Sequence, residues 1–393
     1  MPVRFWLLAP NDMSNIDNGF YRCNNKAFPS KVNALLYSKT INKPIEWVFH
    51  DDVYSTYDWG VEPTDSLDEL YDRRARELRE KYDYLILSFS GGSDTNNILE
   101  CFIRQGLHID EIVTNHISRV TRSTTILDSA NQSSSNFAAE HELQAIPRLQ
   151  YIHKHLPKTK ITVLDVSDVV FNGIKDDVSW VLDKNDHLSV GQLFRYNYFH
   201  FGDMKRQFDK DLRVAIITGT DKPRTYIQDD CLYLYFLDSV ANITTIDDFN
   251  KEYTNITNEL FYWSAETAPM ICKQAHVIKR WLEANPSEQE HWRNINPTKV
   301  RLYHERILRT LLYSTWDNNW FQADKSVNWW HTEFDTWFRT NDEFSDKYKL
   351  WQQGITWLSD KLGNLVETKN GVPDTFVKFR KVYQIGKIKS TLG

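Results

Sequence analysis

The chain has 393 residues, which is enough for two domains or for one large domain with an appended region. Apolar and charged residues make up 41% and 25% of it, as in ordinary globular proteins, whereas the aromatic content of 14% is high. The net charge of -6 argues against a protein that coats nucleic acid through bulk electrostatics.

The four cysteines are widely spaced, and no two of them form a C-x-x-C pair. This spacing excludes a zinc ribbon, an iron-sulfur run and a thioredoxin-like motif, and it is typical of reduced thiols in the cytosol. The N-terminal apolar stretch is too short for a signal peptide, and no run of membrane-spanning length occurs. We therefore expect a cytoplasmic protein without membrane contacts.

The first 64 residues mix short aromatic runs with many Asn, Asp and Pro residues, which predicts an extension of short strands and loops. A helix is predicted next, capped by Asp65 or Ser66 and continuing to about Tyr82. We interpret the arginine cluster of this helix as a solvated face paired with neighbouring acids. Its members are Arg73, Arg74, Arg76 and Arg79.

A strand, a glycine turn and a helix follow directly. Residues 84–87 form a short continuous apolar run, which is typical of a strand buried on both faces of a parallel sheet. Gly91 and Gly92 let the backbone turn sharply, and a helical apolar stripe begins near Asn96. Unpaired N–H groups and the positive end of the helix dipole converge at such a turn, so the pattern predicts an anion site.

Further strands are predicted over residues 109–114, 160–164 and 212–218, and a right-handed crossover places the first of them parallel to the strand 84–87. The Ser/Thr/Asn-rich stretch 119–136 is predicted to be a loop, either a lid over a site or a plain surface excursion. A helix over about 137–155 follows this loop. Alternating strands and helices indicate an α/β fold.

The sequence GTDKPR follows the last of these strands. A cationic turn at the carboxyl end of a buried strand is where doubly wound sheets place ligand groups, and Lys222 and Arg224 suit phosphate charge. The same residues also fit a plain turn that leads into a hairpin, and both interpretations can hold together. The hairpin is predicted over residues 224–236, turning at Asp229 and Asp230.

Beyond about residue 246 the patterns become helical, and helices are predicted over 247–261, 268–284, 298–313, 327–339 and 343–362. Aromatic stripes at helical spacing indicate a core rather than a base-stacking platform. Cys272 and His276 have the spacing of two metal ligands, but a buried thiol beside a hydrogen-bonded histidine is the commoner arrangement. We expect three regions: an N-terminal extension (1–64), a nucleotide-binding α/β domain (65–245) and a mainly helical, Trp-rich C-terminal region (246–393).

The tail 369–389 contains six basic residues and a single acid, Asp374. This local excess of positive charge leaves contact with nucleic acid open, although it does not require it.

The turn after the strand 84–87 reads SGGSDT, and its residues are Ser90, Gly91, Gly92, Ser93, Asp94 and Thr95. It resembles the PP-loop of the ATP pyrophosphatase superfamily, whose pattern is S-G-G-x-D-S/T. It is neither a Walker A loop, which needs a following Gly-Lys-Ser/Thr, nor a G-x-G-x-x-G dinucleotide fingerprint. The resemblance implies an adenine nucleotide alpha-hydrolase-like (HUP-like) α/β fold with a doubly wound, mainly parallel sheet.

The same resemblance implies that the chain binds ATP and Mg²⁺. Loop N–H groups and the hydroxyls of Ser90, Ser93 and Thr95 would bind phosphate oxygens. Asp94 would hold Mg²⁺ or fix the loop through backbone N–H groups. Lys222 and Arg224 would balance the charge on the leaving pyrophosphate. Adenine would contact the end of the second strand, at Thr114, Asn115 and His116.

The implied reaction is attack of a substrate oxygen on the α-phosphate, release of pyrophosphate, and displacement of AMP by a nitrogen or sulfur nucleophile. The chain lacks the cysteine sets of the sulfur-transferring and deazaguanine-forming branches, and Pro2 stands where glutamine-dependent asparagine synthetases have a nucleophilic cysteine. We therefore expect an AMP-forming ligase that amidates a small metabolite or a nucleobase.

Two other functions stay open. A sulfonucleotide reductase-like or sulfurtransferase enzyme would need Cys231 or Cys272 near the nucleotide. A non-catalytic nucleotide-sensing or nucleic-acid-associated protein would keep the loop for binding alone. The loop, GTDKPR and FYWSAETAPMICKQAH together look like uncharacterised PP-loop proteins of large tailed phages, which implies the host cytoplasm as the compartment.

Overall fold

The computed structural model describes residues 19–116, 141–165, 174, 181–182, 211–220, 222–238, 255–293, 297–320, 338–369 and 372–389. Within these ranges, no helix has the length and apolar character needed to cross a membrane. The predicted loop 119–136 and most of the predicted helix 327–339 lie outside the described residues.

Helices and strands alternate through much of the described chain. The α-helices are α1 (Lys31–Ile41), α2 (Asp51–Tyr54), α3 (Leu67–Lys81), α4 (Ser93–Arg104), α5 (Ile146–His155), α6 (Ala268–Ala284), α7 (Gln289–Arg293), α8 (Pro297–Leu312) and α9 (Ser345–Leu362). The strands are β1 (Phe20–Cys23), β2 (Lys26–Phe28), β3 (Glu46–Val48), β4 (Tyr84–Ser88), β5 (Glu111–His116), β6 (Lys160–Asp165), β7 (Val214–Thr218), β8 (Arg224–Gln228), β9 (Cys231–Leu237), β10 (Ile256–Leu260), β11 (Val366–Lys369), β12 (Val372–Phe376) and β13 (Arg380–Lys387).

The central sheet has five parallel strands in the order β10-β7-β4-β5-β6. Strands β5 and β6 extend it on one side of β4, whereas β7 and β10 extend it on the other, so the strand order reverses between β4 and β7. Both of these inner strands are apolar, and residues 85–87 and 214–217 are fully buried. The α/β fold with parallel strands is therefore confirmed.

Strand β10 overturns the helix predicted over residues 247–261, as far as that range is described. Its residues pair in parallel with β7. The polar centre of the strand is compatible with burial because Glu259 is neutralised by Arg74, at 2.7 Å, and by Lys81, at 2.8 Å. Burial opposes ionisation, but these two cations hold the pKa of Glu259 below its usual value. Arg74 is thus a buried ion-pair partner and not part of a solvated arginine face.

The N-terminal part also differs from its prediction, because it contains an 11-residue helix, α1, among its short strands. Ser30 caps this helix by accepting a hydrogen bond from the Asn33 N–H, and Asn42 ends it in the left-handed conformation. The first six residues of α1 are buried, so it lacks the clear amphipathic stripe that would reveal a surface helix. The strands around it form an antiparallel sheet in the order β2-β1-β3.

The predicted hairpin is confirmed and belongs to a second antiparallel sheet. Strands β8 and β9 pair through a two-residue turn in which Asp229 and Asp230 have φ values of 48° and 57°. Two positive φ values match the turn type that suits the right-handed twist of paired strands. Strand β13 adds to the other edge of β9, giving the order β13-β9-β8. The predicted helices α3, α6, α8 and α9 are confirmed as well.

One large hydrophobic core joins the N-terminal strands, the parallel sheet and the C-terminal helices, including Tyr21, Leu87 and Ile278. A buried ion pair also connects distant parts of the chain: the Lys31 ammonium lies 2.7 Å from the Asp238 carboxylate, and both side chains are fully buried. The same carboxylate accepts a hydrogen bond from the Tyr21 hydroxyl. The division into three regions stays a prediction, since residues from all three contribute to this core.

Candidate functional site

The SGGSDT loop connects β4 to α4 at the carboxyl edge of the parallel sheet. This is the place where the strand order reverses, and open α/β sheets bind ligands at such a point. Gly91 has a φ of 79°, and a Cβ atom there would lie 2.7 Å from the Ala145 nitrogen. Gly92 caps the 12-residue helix α4 without a side-chain hydrogen bond to its first turn. The two glycines place no side chain at the N-terminus of α4. The backbone N–H groups at this end of the helix favour an anion.

The loop is held in shape by its own side chains. The Ser90 hydroxyl accepts a hydrogen bond of 3.2 Å from the Gly92 N–H. The Thr95 hydroxyl and the Asn96 amide both donate to the Gly92 carbonyl, at 3.2 and 3.1 Å. Ser90 is exposed, whereas Ser93 and Thr95 are buried. Of the three predicted phosphate-binding hydroxyls, Ser90 is thus the one that faces solvent.

The residues after β7 reach the first turn of α4. A Cβ atom on Gly219 would lie 3.0 Å from the Thr95 side chain and 3.2 Å from the Thr95 nitrogen. This contact brings the predicted cationic turn against the loop, as expected for neighbouring strands whose carboxyl ends meet at one edge.

Lys222 makes the central contact of the site. Its ammonium nitrogen lies 2.9 Å from each carboxylate oxygen of Asp94 and 3.2 Å from a Glu305 carboxylate oxygen. Lys222 is 3% exposed, so this bridge between two carboxylates is largely shielded from water. The Tyr313 hydroxyl also donates a hydrogen bond to Asp94. We call Asp94, Lys222, Glu305 and Tyr313 the lysine flank of the loop.

Sequence reasoning found two members of the lysine flank and missed the other two. Glu305 lies on α8 and Tyr313 directly follows it, inside the region expected to be a helical appendage. Burial, together with the Asp94 charge, raises the pKa of Tyr313 well above its usual value, so its hydroxyl stays a donor. Tyr262 adds a further anchor by donating to the Asp94 carbonyl at 2.9 Å. No local motif marks these residues.

The lysine flank suits Mg²⁺ and a phosphate chain in its chemistry. Carboxylate oxygens are the ligands that Mg²⁺ prefers, and one or two of them are enough when phosphates and waters complete the shell. Asp94 and Glu305 are 21% and 17% exposed, so both carboxylates are reachable. The described residues contain no group of three or more His, Cys, Asp or Glu side chains placed to hold a metal ion. A metal at this edge would therefore depend on phosphate oxygens and waters for the rest of its ligands.

A different cluster lies on the other side of the loop, at the end of β5. The rings of His116 and His141 stack with centroids 5.1 Å apart, and the Thr114 hydroxyl is 3.4 Å from His141 Nδ1. His141 begins a π-helical turn, His141–Ala145, whose last residue packs against Gly91. We call Thr114, Asn115, His116 and His141 the histidine flank.

The histidine flank contains an uncharged imidazole, that of His141, and is incompletely hydrogen-bonded. Burial and the neighbouring His116 ring lower the pKa of His141 to about 4, so this imidazole is uncharged at neutral pH. Asn115 Oδ1 and His116 Nδ1 are buried and have no hydrogen-bond partner among the residues that the structure describes. Buried polar atoms are normally paired, and exceptions call for a functional or solvent explanation. The predicted residues Thr114 and Asn115 thus lie together beside the loop.

Arg224 and the cysteines lie in other surroundings. Arg224 is the first residue of β8 and stands opposite Tyr235 in the antiparallel sheet. Cys272 is buried beside the Trp59 and Val61 carbonyls, and burial raises its pKa to about 12. His276 is hydrogen-bonded to the Trp59 carbonyl at 3.1 Å. The pair is therefore an ordinary buried thiol and histidine, as the sequence indicates.

A comparison with models of known protein families finds no match for this chain. Among curated proteins, none is significantly similar to it.

Proposed function

We propose that this chain is a PP-loop nucleotide-binding protein of the HUP-like, doubly wound α/β class. In this proposal it binds ATP with Mg²⁺ at the carboxyl edge of the parallel sheet. It adenylates an oxygen of a small-molecule or nucleobase substrate and releases pyrophosphate, after which a nitrogen nucleophile attacks the activated carbon and displaces AMP together with that oxygen. The free state of all four cysteines supports a cytoplasmic location for this enzyme.

One observation carries the proposal: the SGGSDT loop ends β4 where the strand order reverses, and a buried lysine contacts its aspartate. A glycine-lined helix N-terminus attracts an anion, and the Lys222 ammonium, which contacts Asp94 of the loop, adds a full positive charge beside it. The two features stand 128 residues apart in sequence, yet the fold brings them within hydrogen-bond distance.

Each residue of the site would have a role that follows from its charge. Loop N–H groups and the exposed Ser90 hydroxyl would bind phosphate oxygens. Asp94 and Glu305 would hold Mg²⁺, which shields phosphate charge when bound. Lys222 would exchange one of its carboxylate partners for the pyrophosphate oxygens, while Tyr313 keeps Asp94 in place. This arrangement needs alignment and charge neutralisation and no protein nucleophile.

A pair of substitutions at Gly92 tests the proposal. Gly92 has a φ of -66° and a ψ of 166°, which any residue adopts, and Asp and Asn are both favoured at a helix N-cap. Gly92→Asp should preserve the fold but place a carboxylate where the phosphates bind, lowering ATP affinity at least ~30-fold. Gly92→Asn has nearly the same shape without the charge and should lose much less affinity.

Isothermal titration with ATP and Mg²⁺, together with a pyrophosphate-release assay, would measure both effects. Equal ATP affinities for the wild type and Gly92→Asp would contradict nucleotide binding at this loop. ATP binding without pyrophosphate release across a metabolite screen would instead favour the non-catalytic alternative. The sulfur-transfer alternative predicts that Cys231→Ser or Cys272→Ser abolishes turnover, but Cys231 is buried beside the Gln384 amide and Cys272 beside the Trp59 and Val61 carbonyls.

A further inference from the structure

The antiparallel sheet β13-β9-β8 has one face packed on the core and one face turned away from it. On the outer face Tyr226 of β8 stands opposite Tyr233 of β9, and Tyr235 of β9 stands opposite Val382 of β13. Directly opposed residues project from the same face of a sheet, and their sequence neighbours project from the other. The alternate residues of β9 are buried in the core: Leu232, Leu234 and Phe236. We call the outer surface the tyrosine face and define it as Arg224, Tyr226, Tyr233, Tyr235, Arg380, Val382 and Gln384.

The three tyrosine rings form one connected aromatic surface. Tyr226 and Tyr233 stack with centroids 5.3 Å apart and an interplanar angle of 18°. Tyr235 meets Tyr226 edge-on at 5.7 Å. All three rings are half-buried, and Val382 beside them is 44% exposed, one of the few large apolar side chains with such exposure among the described residues. This surface therefore presents partly exposed aromatic rings and apolar area to a partner.

Positive charge surrounds these rings. The exposed Arg380 guanidinium lies over the Tyr235 ring at 5.4 Å, and Lys378 and Lys387 are exposed nearby on the same segment. The acids of the hairpin turn lie beside Lys387, at the end of the sheet opposite to Arg380, and Asp230 is paired with Arg293 at 2.7 Å. Asp238, which directly follows β9, is buried against Lys31. The face is thus locally basic in a chain whose net charge is -6.

We propose that the tyrosine face binds single-stranded nucleic acid. Aromatic rings stack on bases of any sequence, and flanking arginine and lysine side chains bind the phosphates, which is the combination that single-strand binders use. A duplex hides its base faces, so the rings would contribute nothing to duplex binding. An acidic peptide or an anionic membrane would use the charges but has no planar groups for the rings.

The tyrosine face is connected to the loop by a short path. Arg224 is the first residue of β8 and pairs with Tyr235. It comes two residues after Lys222 of the lysine flank. A strand lying on the face with one end at Tyr235 therefore has that end directed toward the loop. This inference does not depend on ATP chemistry, because the face is defined by its own residues.

Fluorescence anisotropy of the full-length protein with labelled oligothymidine or oligouridine of about 12 nucleotides, at low salt, tests the inference. Tyr233→Ala should weaken binding roughly tenfold, because one stacked base is lost, whereas Tyr233→Phe keeps the ring and should bind as the wild type does. Arg380→Gln should weaken binding severalfold and lower the salt-dependence slope by about one. Lys158→Gln, which removes an equally exposed charge elsewhere, is the matched control and should have no effect.

Three results would overturn the inference: no binding of any single strand by the wild type, equal affinity for a duplex of the same sequence, or unchanged binding by Tyr233→Ala. Displacement of the single strand by polyglutamate or by phosphatidylserine vesicles at equal charge would also overturn it. Such a result would show that the face binds polyanions through charge alone. Arg380 is exposed, so Arg380→Gln gives a result even if Tyr233→Ala fails to fold. ATP titration of each variant separates this face from the loop, since loss of oligonucleotide binding should leave ATP binding unchanged.

Discussion

The two flanks of the SGGSDT loop satisfy their polar groups in opposite ways. On the lysine flank every charged group is paired, with one ammonium shared by two carboxylates. On the histidine flank the His141 imidazole is uncharged at neutral pH, and two buried polar atoms have no partner among the described residues. Paired charges stabilise the fold until a competing anion arrives, whereas unpaired neutral atoms cost stability until a ligand supplies partners. The contrast fits a ligand that is anionic at one end and an uncharged ring with hydrogen-bonding edges at the other.

The largest effect is expected from Lys222→Met. Removing the ammonium leaves Asp94 and Glu305 close together without their shared cation, and methionine cannot compensate for it. Breaking a buried ion pair costs about 3–5 kcal/mol, and the partial exposure of the two carboxylates reduces this to about 2–3 kcal/mol. Urea unfolding measures the change in the free energy of unfolding.

Adding Glu305→Gln to Lys222→Met should recover part of that loss, because one of the two unpaired carboxylates is then gone. If Lys222→Met is as stable as the wild type, the ion pairs of the lysine flank do not form in solution.

A matched pair of glycine substitutions tests whether the histidine flank is packed against the loop. Gly91→Ala places a side chain on a residue with a φ of 79°, and the new methyl group clashes with the Ala145 backbone. The substitution should therefore lower the free energy of unfolding by about 2 kcal/mol or more. Gly106→Ala has a similar φ of 64° but nothing within 4 Å of the new methyl group, so it should cost only about 1 kcal/mol. Equal losses in thermal unfolding would mean that the π-helical turn does not contact the loop.

The histidine flank should also make stability depend on pH. The pKa of His141 is about 4 in the folded protein and near its usual 6.5 in the unfolded chain, so the unfolded state binds more protons between these values. The contribution of His141 to the free energy of unfolding is therefore fully present above pH 6.5 and is lost as the pH falls toward 4. The loss is about 1–2 kcal/mol after allowance for solvent screening.

His141→Asn should flatten this part of the pH profile of unfolding. The carboxylate of Glu142, 3.9 Å away, limits the size of the effect, and His304, whose pKa is also lowered to about 4, contributes a background in both proteins. Identical profiles for the wild type and His141→Asn would show that His141 is not buried in a neutral state.

The smallest effect is expected from Asn115→Leu. Leucine has a similar shape and removes a buried oxygen that has no partner among the described residues, so the free energy of unfolding should change by less than about 1 kcal/mol. The same variant should weaken ATP binding if the histidine flank receives the base. A loss of 2 kcal/mol or more in unfolding would mean that Asn115 already has a partner, and the contrast between the flanks would disappear.

The sequence predicts the parts of this molecule that local patterns determine. The loop, its flanking strand and helix, the turn at Asp229 and Asp230, and α6 all follow from glycines, caps and apolar spacing within about 20 residues. Local patterns do not predict strand β10, because its glutamate is typical of an exposed helix position and is buried here only through ion pairs with Arg74, 185 residues away, and Lys81.

The residues of the candidate site also divide into those that local sequence patterns predict and those that they do not. Asp94 and Lys222 each follow a strand that the sequence predicts, and both are predicted as site residues, whereas their direct contact depends on the pairing of β4 with β7. Glu305 and Tyr313 reach the site on a helix that packs from the C-terminal region, and Tyr313 is separated from Asp94 by 219 residues. Helix packing of this kind depends on tertiary contacts, which a single sequence does not reveal.

The buried pair of Lys31 and Asp238 has a consequence for how the chain folds as it is synthesised. The first helix leaves the ribosome early, but the carboxylate that neutralises its lysine is made some 200 residues later, as is the β9 strand that precedes it. Phe379, whose N–H also donates to Asp238, comes later still. Burying a lysine without its partner costs a large free energy. Helix α1 must therefore stay undocked while most of the protein is translated. The N-terminal part of this protein is therefore among the last to reach its native position, although it is made first.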